Sequence, residues 1–313
     1  MLRTLRTALA SLSMLAVFAG AAGAAWLWQT DFDKIEIAVL PIAKNPSGGE
    51  VFMLTGAGGN LAVSTGTDGV ALVDSQFLPL AGKIKAALER VAGEEVEAVR
   101  YLVNTHWHGD HTGGNPFFAH TRATTAIAHD NVRRRLSGDS SIAGRKLDSF
   151  DPTGLPDVTF ADSLSLWVNG EEVRLYHFDA GHTDGDVVVH FTGSKVAHLG
   201  DLFFQIGFPF IDRDSGGSVR GVLANLDMLL TTLPAETKLI PGHGVATDVA
   251  ELRTYRAMVA DCLARVEKAV AEGKSLADLN AAGLLDDYAD RYAWAFVDAE
   301  RFLAILHTEV AGG

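Results

Sequence analysis

The sequence predicts an α/β fold in which two similar halves pack sheet against sheet. Three observations predict it. Strand patterns followed by helical patterns occur twice along the chain. Turns that contain glycine join neighbouring strands in the first half, and an Asn-Gly pair does so in the second. Polar loops flanked by glycine follow strand ends in both halves.

The first half can be assigned from its periodicity. It contains, in order, two strands joined by a turn (58–75), a helix that ends at Gly93 (78–93), a strand (96–105) and a strand that enters a helix (123–138). A polar, irregular stretch at 139–156 follows. We predict that this stretch is a surface loop or insertion.

The second half has a similar succession of predicted strands and helices. It contains, in order, a hairpin (164–178), two short strands (186–191 and 195–201), a helix (219–233) and a strand that ends in a loop (237–244). Asn169-Gly170 is a strong hairpin signal because both positions of a two-residue turn need a positive φ. From residue 245 onward the pattern is helical. We therefore predict one domain at 30–245 and a helical C-terminal extension at 246–313 that packs on it.

The composition is that of a globular protein. Of its 313 residues, 48% are hydrophobic and 21% are charged, which allows a large core. The net charge of −13 and the pI near 5.2 argue against nucleic acid as a partner, because affinity for its backbone depends on Lys and Arg. The expected partner is a small-molecule substrate. The sequence leaves the oligomeric state open.

The first 25 residues have the pattern of an export signal. Arg3 and Arg6 precede an apolar run, and the small residues at 21–25 offer a cleavage site. The alternative is a retained anchor, because residues 8–28 approach the roughly 20 needed to span a bilayer. Both interpretations predict a periplasmic or secreted protein whose one membrane contact is an uncleaved N-terminus. The single cysteine, Cys262, excludes an intramolecular disulfide.

The segment NTHWHGDHTGGN (104–115) places three histidines and an aspartate within six positions. Side chains two apart in an extended strand point the same way, so His106 and His108 converge. The glycine that follows lets the chain turn, which brings Asp110 and His111 back towards the same centre. A His-x-His pair alone is common by chance. Clustering all four groups has no compensating gain without a metal.

Three later loops, each beside a glycine, offer further ligands: His182, Asp201 and His243. Imidazole and carboxylate ligands suit zinc, although manganese and iron accept them as well. Two ions about 3.5–4 Å apart can together bind an attacking hydroxide and polarise a carbonyl. We predict a two-zinc site in which Asp110 also orients the nucleophile and helps to move a proton to the leaving group.

These residues resemble the metallo-β-lactamase superfamily from about Gly59 to Gly244. THWHGDH resembles its HxHxDH signature, and GHT, GD and GHG resemble its later metal loops. The resemblance implies a four-layer αββα sandwich with the metals at one edge between the sheets. It also implies a ligand set, with one metal bound by His106, His108 and His182, the second bound by Asp110, His111 and His243, and Asp201 bridging both.

Other residues are assigned to the surroundings of the metals. By the same resemblance, Asp74 in GVALVDS is a candidate to hydrogen-bond a ligand imidazole; the alternative is that it caps the next turn. Thr105 and Thr183 are likewise candidates to hydrogen-bond ligands; the alternative is that a threonine beside a turn has no such role. Phe208 and Phe210 flank a proline in a predicted loop and are predicted to line an apolar substrate pocket. The remaining histidines lack a glycine-flanked loop and are predicted to be structural or exposed: His120, His129, His177, His190, His198 and His307.

The implied function is that of a β-lactamase-like hydrolase with two zinc ions. It would open a small cyclic amide or ester, a β-lactam or a lactone, by attack of metal-bound hydroxide. Asp201 resembles the pattern of glyoxalase II and of lactonases, which leaves a thioesterase or esterase of glyoxalase II type as an alternative. A metal-binding module without catalysis is a third alternative. The presence of all seven ligand-type residues argues against it.

Overall fold

The computed structural model describes residues 30–312 with the exception of 94, 122, 139, 140, 143, 144 and 147–149. The export signal or anchor predicted for residues 1–25 lies outside the described residues. Among the helices of the described part of the chain, none combines the length and the apolarity needed to cross a membrane.

The first half of the chain forms a seven-stranded sheet and a small separate hairpin. Its strands are β1 (Ala38–Lys44), β2 (Glu50–Thr55), β3 (Leu61–Thr65), β4 (Ala71–Val73), β5 (Tyr101–Val103), β6 (Thr125–His129), the hairpin strands β7 (Ser141–Ile142) and β8 (Arg145–Lys146), and β9 (Val158–Phe160). The sheet order is β1-β2-β3-β4-β5-β6-β9. Strands β4, β5, β6 and β9 run parallel. Asp74 and the loop at 104–111 therefore leave the same edge of the sheet, because they follow β4 and β5.

The second half forms a six-stranded sheet. Its strands are β10 (Ser163–Val168), β11 (Glu171–Phe178), β12 (Asp186–Phe191), β13 (Val196–His198), β14 (Lys238–Ile240) and β15 (Thr247–Asp248), which neighbour one another in this order. Only the pair β13 and β14 is parallel. The predicted hairpin is confirmed, since Asn169 and Gly170 have φ values of 52° and 78° between β10 and β11. Strand β15 corrects the prediction that only helices follow residue 245.

Nine helices accompany these sheets in the described residues: α1 (Ala81–Ala92), α2 (Gly109–Thr112), α3 (Asn115–Phe118), α4 (Asp130–Leu136), α5 (Val219–Thr232), α6 (Val249–Ala271), α7 (Leu276–Ala281), α8 (Asp286–Tyr292) and α9 (Ala299–Ala311). Helix α1 ends as predicted at Gly93, which adopts a left-handed conformation and donates its N–H to the carbonyl of Glu89. Only glycine takes that conformation without steric cost.

Four layers result from the way the apolar faces are buried. Side chains of both sheets interdigitate in one core, which includes Met53 and Val103 from the first sheet and Leu175 and Val189 from the second. Helix α1 covers the outer face of the first sheet. Helices α5 and α6 cover the outer face of the second sheet. The predicted αββα sandwich with additional C-terminal helices is confirmed.

The C-terminal helices share a core with the segment that follows Asp201, and this corrects one prediction. Phe208 is fully buried there, with its ring centroid 4.8 Å from that of Phe302. Its N–H donates to the carbonyl of Tyr292, and its carbonyl accepts from Nε1 of Trp294. These two bonds turn Phe208 into the core. The prediction that Phe208 lines the substrate pocket is therefore wrong.

Substitution of Phe208 by alanine is expected to lower the free energy of unfolding by about 3–5 kcal/mol, because it leaves a cavity in this shared core. Denaturant unfolding measures the loss. Phe210 is only partly buried, so Phe210→Ala serves as the control and should cost less. Equal losses for the two variants would contradict the structural role of Phe208.

Candidate metal centre

Seven side chains converge at the edge of the two sheets in two groups. Their ligand atoms lie within 4.8 Å of one another inside each group: His106, His108, His182 and Asp201 in the first, and Asp110, His111 and His243 in the second. All are buried except His243, which is partly exposed. The structure thus brings together every residue that the sequence predicted as a ligand.

Asp201 lies between the two groups. Its Oδ2 atom is 3.5 Å from Nε2 of His182 in the first group and 3.5 Å from Nε2 of His243 in the second. Its Oδ1 atom is 3.1 Å from Nε2 of His111. One carboxylate therefore faces both groups, as a bridging ligand must.

The donor atoms fit bound cations. Nε2 of His106 and Nε2 of His182 face Nδ1 of His108 at 3.2 and 2.9 Å. Among the described residues, Asp110 Oδ1, His111 Nε2 and Asp201 Oδ1 are buried and form no hydrogen bond, although the last two atoms lie 3.1 Å apart. Buried polar atoms normally have partners. Nitrogen and oxygen atoms converging in this way are an environment that divalent ions satisfy, and the set suits zinc as well as manganese or iron.

Asp74 fixes the orientation of two ligand imidazoles. Its Oδ2 atom accepts hydrogen bonds from Nδ1 of His111 and from Oγ1 of Thr105, both at 2.7 Å. The Thr105 hydroxyl in turn lies 3.1 Å from Nδ1 of His106. Nδ1 is thereby engaged in both rings, which leaves Nε2 free to bind a metal. Asp74 holds this position at a φ of 62°, a left-handed conformation that costs a non-glycine residue about 1–3 kcal/mol.

Asp212 orients ligand imidazoles at the other wall of the site, and it was not predicted from the sequence. Nε2 of His108 donates to Oδ2 of Asp212 at 2.9 Å. The N–H of Asp212 donates to the carbonyl of His182. Nδ1 of His182 donates to the carbonyl of Phe210 at 2.6 Å. The stretch from Phe210 to Asp212 therefore orients both rings. The only local signal is an aspartate before a turn, which an ordinary cap would also produce.

Replacing Asp212 with asparagine is expected to weaken metal binding by about 10–100-fold, the usual effect of losing a partner of a ligand imidazole. Competition with a chelating dye measures the affinity. Asp184→Asn is the control, because the Asp184 carboxylate pairs with Arg135 instead of a ligand. An equal loss in both variants would show that net charge, and not the bond to His108, sets the affinity.

The carboxylates of Asp110 and Asp201 attract positive charge, which is either a metal ion or a proton on a ligand histidine. Burial opposes protonation of His243, but the carboxylates of Asp201 and Asp110 outweigh it and raise the pKa of His243 to about 9. Burial lowers the pKa of His182 to about 4, although Asp201 acts against the shift. Burial also lowers the pKa of His106 well below its usual value. His106 and His182 are therefore neutral at pH 7, the form in which imidazole binds metals.

Glycine is required where two loops approach the ligands. A Cβ atom on Gly242 would lie 1.9 Å from Oδ1 of Asp201, and one on Gly59 would lie 2.1 Å from the ring of His111. Asn60 holds the loop of His243 in place by donating from Nδ2 to the carbonyls of residues 241 and 244. Any larger residue at Gly59 or Gly242 would displace a predicted ligand.

Other predicted residues lie beside the site without touching a metal position. Thr183 donates its N–H and hydroxyl to Asp186, not to a ligand, which corrects its predicted role. Burial raises the pKa of Asp186 to about 8. His129 stacks on His177 at 3.6 Å, and the ring of His198 bonds to neighbouring backbone. These three histidines belong to neither ligand group.

A cavity of about 460 Å³ opens on the centre. Asp110, Asp201 and His243 lie in its wall, and much of the rest is apolar: Ile35, Phe77, Phe204, Ile206, Phe210 and Trp294. Phe210 lines it as predicted, whereas Phe204 was not selected. The ring of Trp294 lies 5.4 Å from Phe204 and 5.7 Å from His243. The C-terminal extension therefore completes the pocket.

Comparisons with known proteins agree with this geometry. The sequence model of the metallo-beta-lactamase superfamily matches residues 54–243. A hydroxyacylglutathione hydrolase of Methylococcus capsulatus is 30% identical over 172 residues, which cover 53% of this chain and 59% of that protein. A metallo-beta-lactamase type 2 of Bacteroides fragilis is 24% identical over 149 residues, which cover 47% of this chain and 53% of that protein.

A solved structure has the same fold. The metallo-beta-lactamase from Pontibacter korlensis superposes with a TM-score of 0.57 at 17% identity, covering 72% of this chain and 99% of that one. The present chain spans about half the length of the curated relatives that it matches first.

Proposed function

Because the chain belongs to the metallo-beta-lactamase superfamily, we propose that it is a hydrolase with two zinc ions that opens a small cyclic amide or ester, such as a β-lactam or a lactone. One observation carries the proposal: two ligand groups joined by Asp201 open on a cavity of about 460 Å³. Cavities of about 300–1,000 Å³ hold small-molecule ligands.

Asp110 is the residue best placed to move protons. Divalent ions bound by the two groups would supply hydroxide at neutral pH and polarise the substrate carbonyl. Asp110 lines the cavity, and its Oδ2 atom lies 3.2 Å from Nε2 of His243. Its Oδ1 atom has no hydrogen-bond partner among the described residues. That oxygen can accept a proton from the nucleophilic water and return it to the departing nitrogen or oxygen.

The second candidate is hydrolysis of a thioester. The hydroxyacylglutathione hydrolases among the relatives favour it. The pocket favours the cyclic substrate instead, because glutathione is a polar peptide and the wall contains several aromatic side chains such as Phe77, Phe204 and Trp294. The export pattern of residues 1–25 also supports a substrate that is met outside the cytoplasm.

A substrate panel on the purified, zinc-loaded protein tests the proposal. It comprises nitrocefin, an acyl-homoserine lactone and an acyl-glutathione thioester, each with Asp110→Asn protein as the control for contaminating activity. We expect the protein to turn over nitrocefin or the lactone faster than the thioester. Turnover of the thioester alone would replace the first candidate with the second. A zinc-loaded protein that cleaves none of them would contradict both.

A further inference from the structure

Arg301 is a cation in the pocket wall that forms no ion pair in the described part of the chain. It lies in α9 of the C-terminal extension, is half-buried and lines the cavity that opens on the metal centre. Its guanidinium makes one hydrogen bond there, from Nη1 to the carbonyl of Phe296 at 2.7 Å. A guanidinium has five N–H donors in a planar fork. Most of the donors of Arg301 therefore remain available to a ligand.

The other charged residues of the wall have partners. Arg213 donates from Nη1 to Oε2 of Glu309 at 2.8 Å. Asp212 accepts from His108, and Asp214 also has a partner. Asp110 and Asp201 face the ligand histidines. Arg301 thus differs from the rest of the wall in having a charge that none of the described residues neutralises.

The surroundings of Arg301 make an anion its natural complement. Phe210, Ile211, Trp294 and Phe296 line the same cavity, so a ligand that reaches Arg301 also meets apolar side chains. A carboxylate matches the guanidinium fork and forms two parallel, charge-assisted hydrogen bonds with it. Such bonds are stronger than neutral ones. A hydrophobic molecule that carries a carboxylate would satisfy both the apolar wall and Arg301.

We propose that Arg301 binds a carboxylate of the substrate, so that the site selects hydrophobic, carboxylate-bearing rings over neutral ones. The selection of cyclic substrates rests on the proposed function. Recognition of the carboxylate depends only on the pocket and can be tested without turnover.

The binding test compares 4-phenylbutyrate with its neutral analogue 4-phenylbutyramide by isothermal titration calorimetry. We expect the carboxylate to bind about tenfold tighter than the amide, the effect of one hydrogen bond to a charged group. The titration is done on zinc-loaded and on chelator-treated protein, because zinc ions also bind carboxylates. The preference that Arg301 provides must persist after zinc is removed.

Two variants identify the residue responsible. Arg301→Gln is expected to abolish the preference for the carboxylate over the amide, because glutamine carries no charge. Arg213→Gln is the matched control, because it removes the same charge from the same wall but a charge that Glu309 already neutralises. The Arg213→Gln protein should keep the wild-type preference for the carboxylate over the amide. An unaltered preference in Arg301→Gln, or equal losses in both variants, would overturn the assignment.

A kinetic test connects the inference to catalysis. For a carboxylate-bearing ring, Arg301→Gln should raise KM about tenfold and leave kcat nearly unchanged, because a residue that binds substrate and transition state alike affects KM alone. For the methyl ester of the same compound, KM should be the same in Arg301→Gln as in the wild-type protein. A fall in kcat for both compounds would indicate a structural role and contradict the proposal. If the wild-type protein cleaves neither compound, the proposed function fails while the calorimetric result still decides the role of Arg301.

Discussion

Replacing Asp110 with asparagine is expected to lower kcat by about 10²–10⁴-fold, the contribution typical of a general acid or base. Asparagine has nearly the same shape and keeps a carbonyl oxygen near Nε2 of His243, but it cannot take up a proton. The fold should persist, because Asp110 makes its contacts at the site and not in a hydrophobic core. Steady-state kinetics and circular dichroism measure the two effects.

Metal analysis separates the two roles of Asp110. A variant that retains two ions and has lost turnover would support proton transfer. A variant that has lost one ion would show that Asp110 acts as a ligand. Asp179→Asn is the control, because the Asp179 carboxylate is 88% exposed and its replacement should leave kcat unchanged. Full activity of the Asp110 variant would refute the assigned chemistry.

The sequence predicted the fold where local patterns are unambiguous. The hairpin at Asn169-Gly170 and the helix that ends at Gly93 depend on backbone conformations that few residues adopt, so their signals are local. Strand β1 was not predicted. It is a largely exposed edge strand with a register shift next to Pro41. Proline cannot donate to a sheet ladder and is confined to such edges or bulges, so its presence argues against a strand.

The ligands could be predicted because each lies in a loop that contains a glycine, and that signal is contained within a few residues. Asp212 could not be found in this way. Its contact with His108 joins positions 104 residues apart, and no local pattern encodes it. The same applies to Trp294 and Arg301. They line the pocket only because α8 and α9 pack against the segment that contains Phe208.

Local sequence does not determine which of Phe208 and Phe210 is buried in the core and which lines the pocket. The two rings flank one proline and have the same chemistry, yet one lies in the core and the other in the pocket wall. The hydrogen bond from Nε1 of Trp294 to the carbonyl of Phe208 fixes which ring turns inward. The C-terminal extension thus shapes the pocket directly and also through the loop that it holds. Specificity is therefore expected to respond to changes in the extension that leave the metal centre intact.

Replacing Asp201 with alanine is expected to reduce the metal content from two ions to one. Asp201 is the one side chain of the seven whose two oxygens face both ligand groups. Without it, the first group keeps three imidazoles, which suffice for zinc in catalytic sites. The second group keeps Asp110, His111 and His243 but loses the oxygen that lies 3.1 Å from His111. We expect the second group to lose its ion.

Elemental analysis and thermal unfolding with and without added zinc measure this effect. Ligand present at about 100 times its dissociation constant stabilises a protein by about 2.7 kcal/mol for each independent site, so the rise in Tm on adding zinc should shrink in the variant. Asp201→Asn is the matched comparison, because it keeps one oxygen and the shape of the side chain but removes the negative charge that attracts the second ion. It should also hold one ion. If Asp201→Ala retained two ions with wild-type affinity, the bridging role would be excluded, and the two groups would be independent sites.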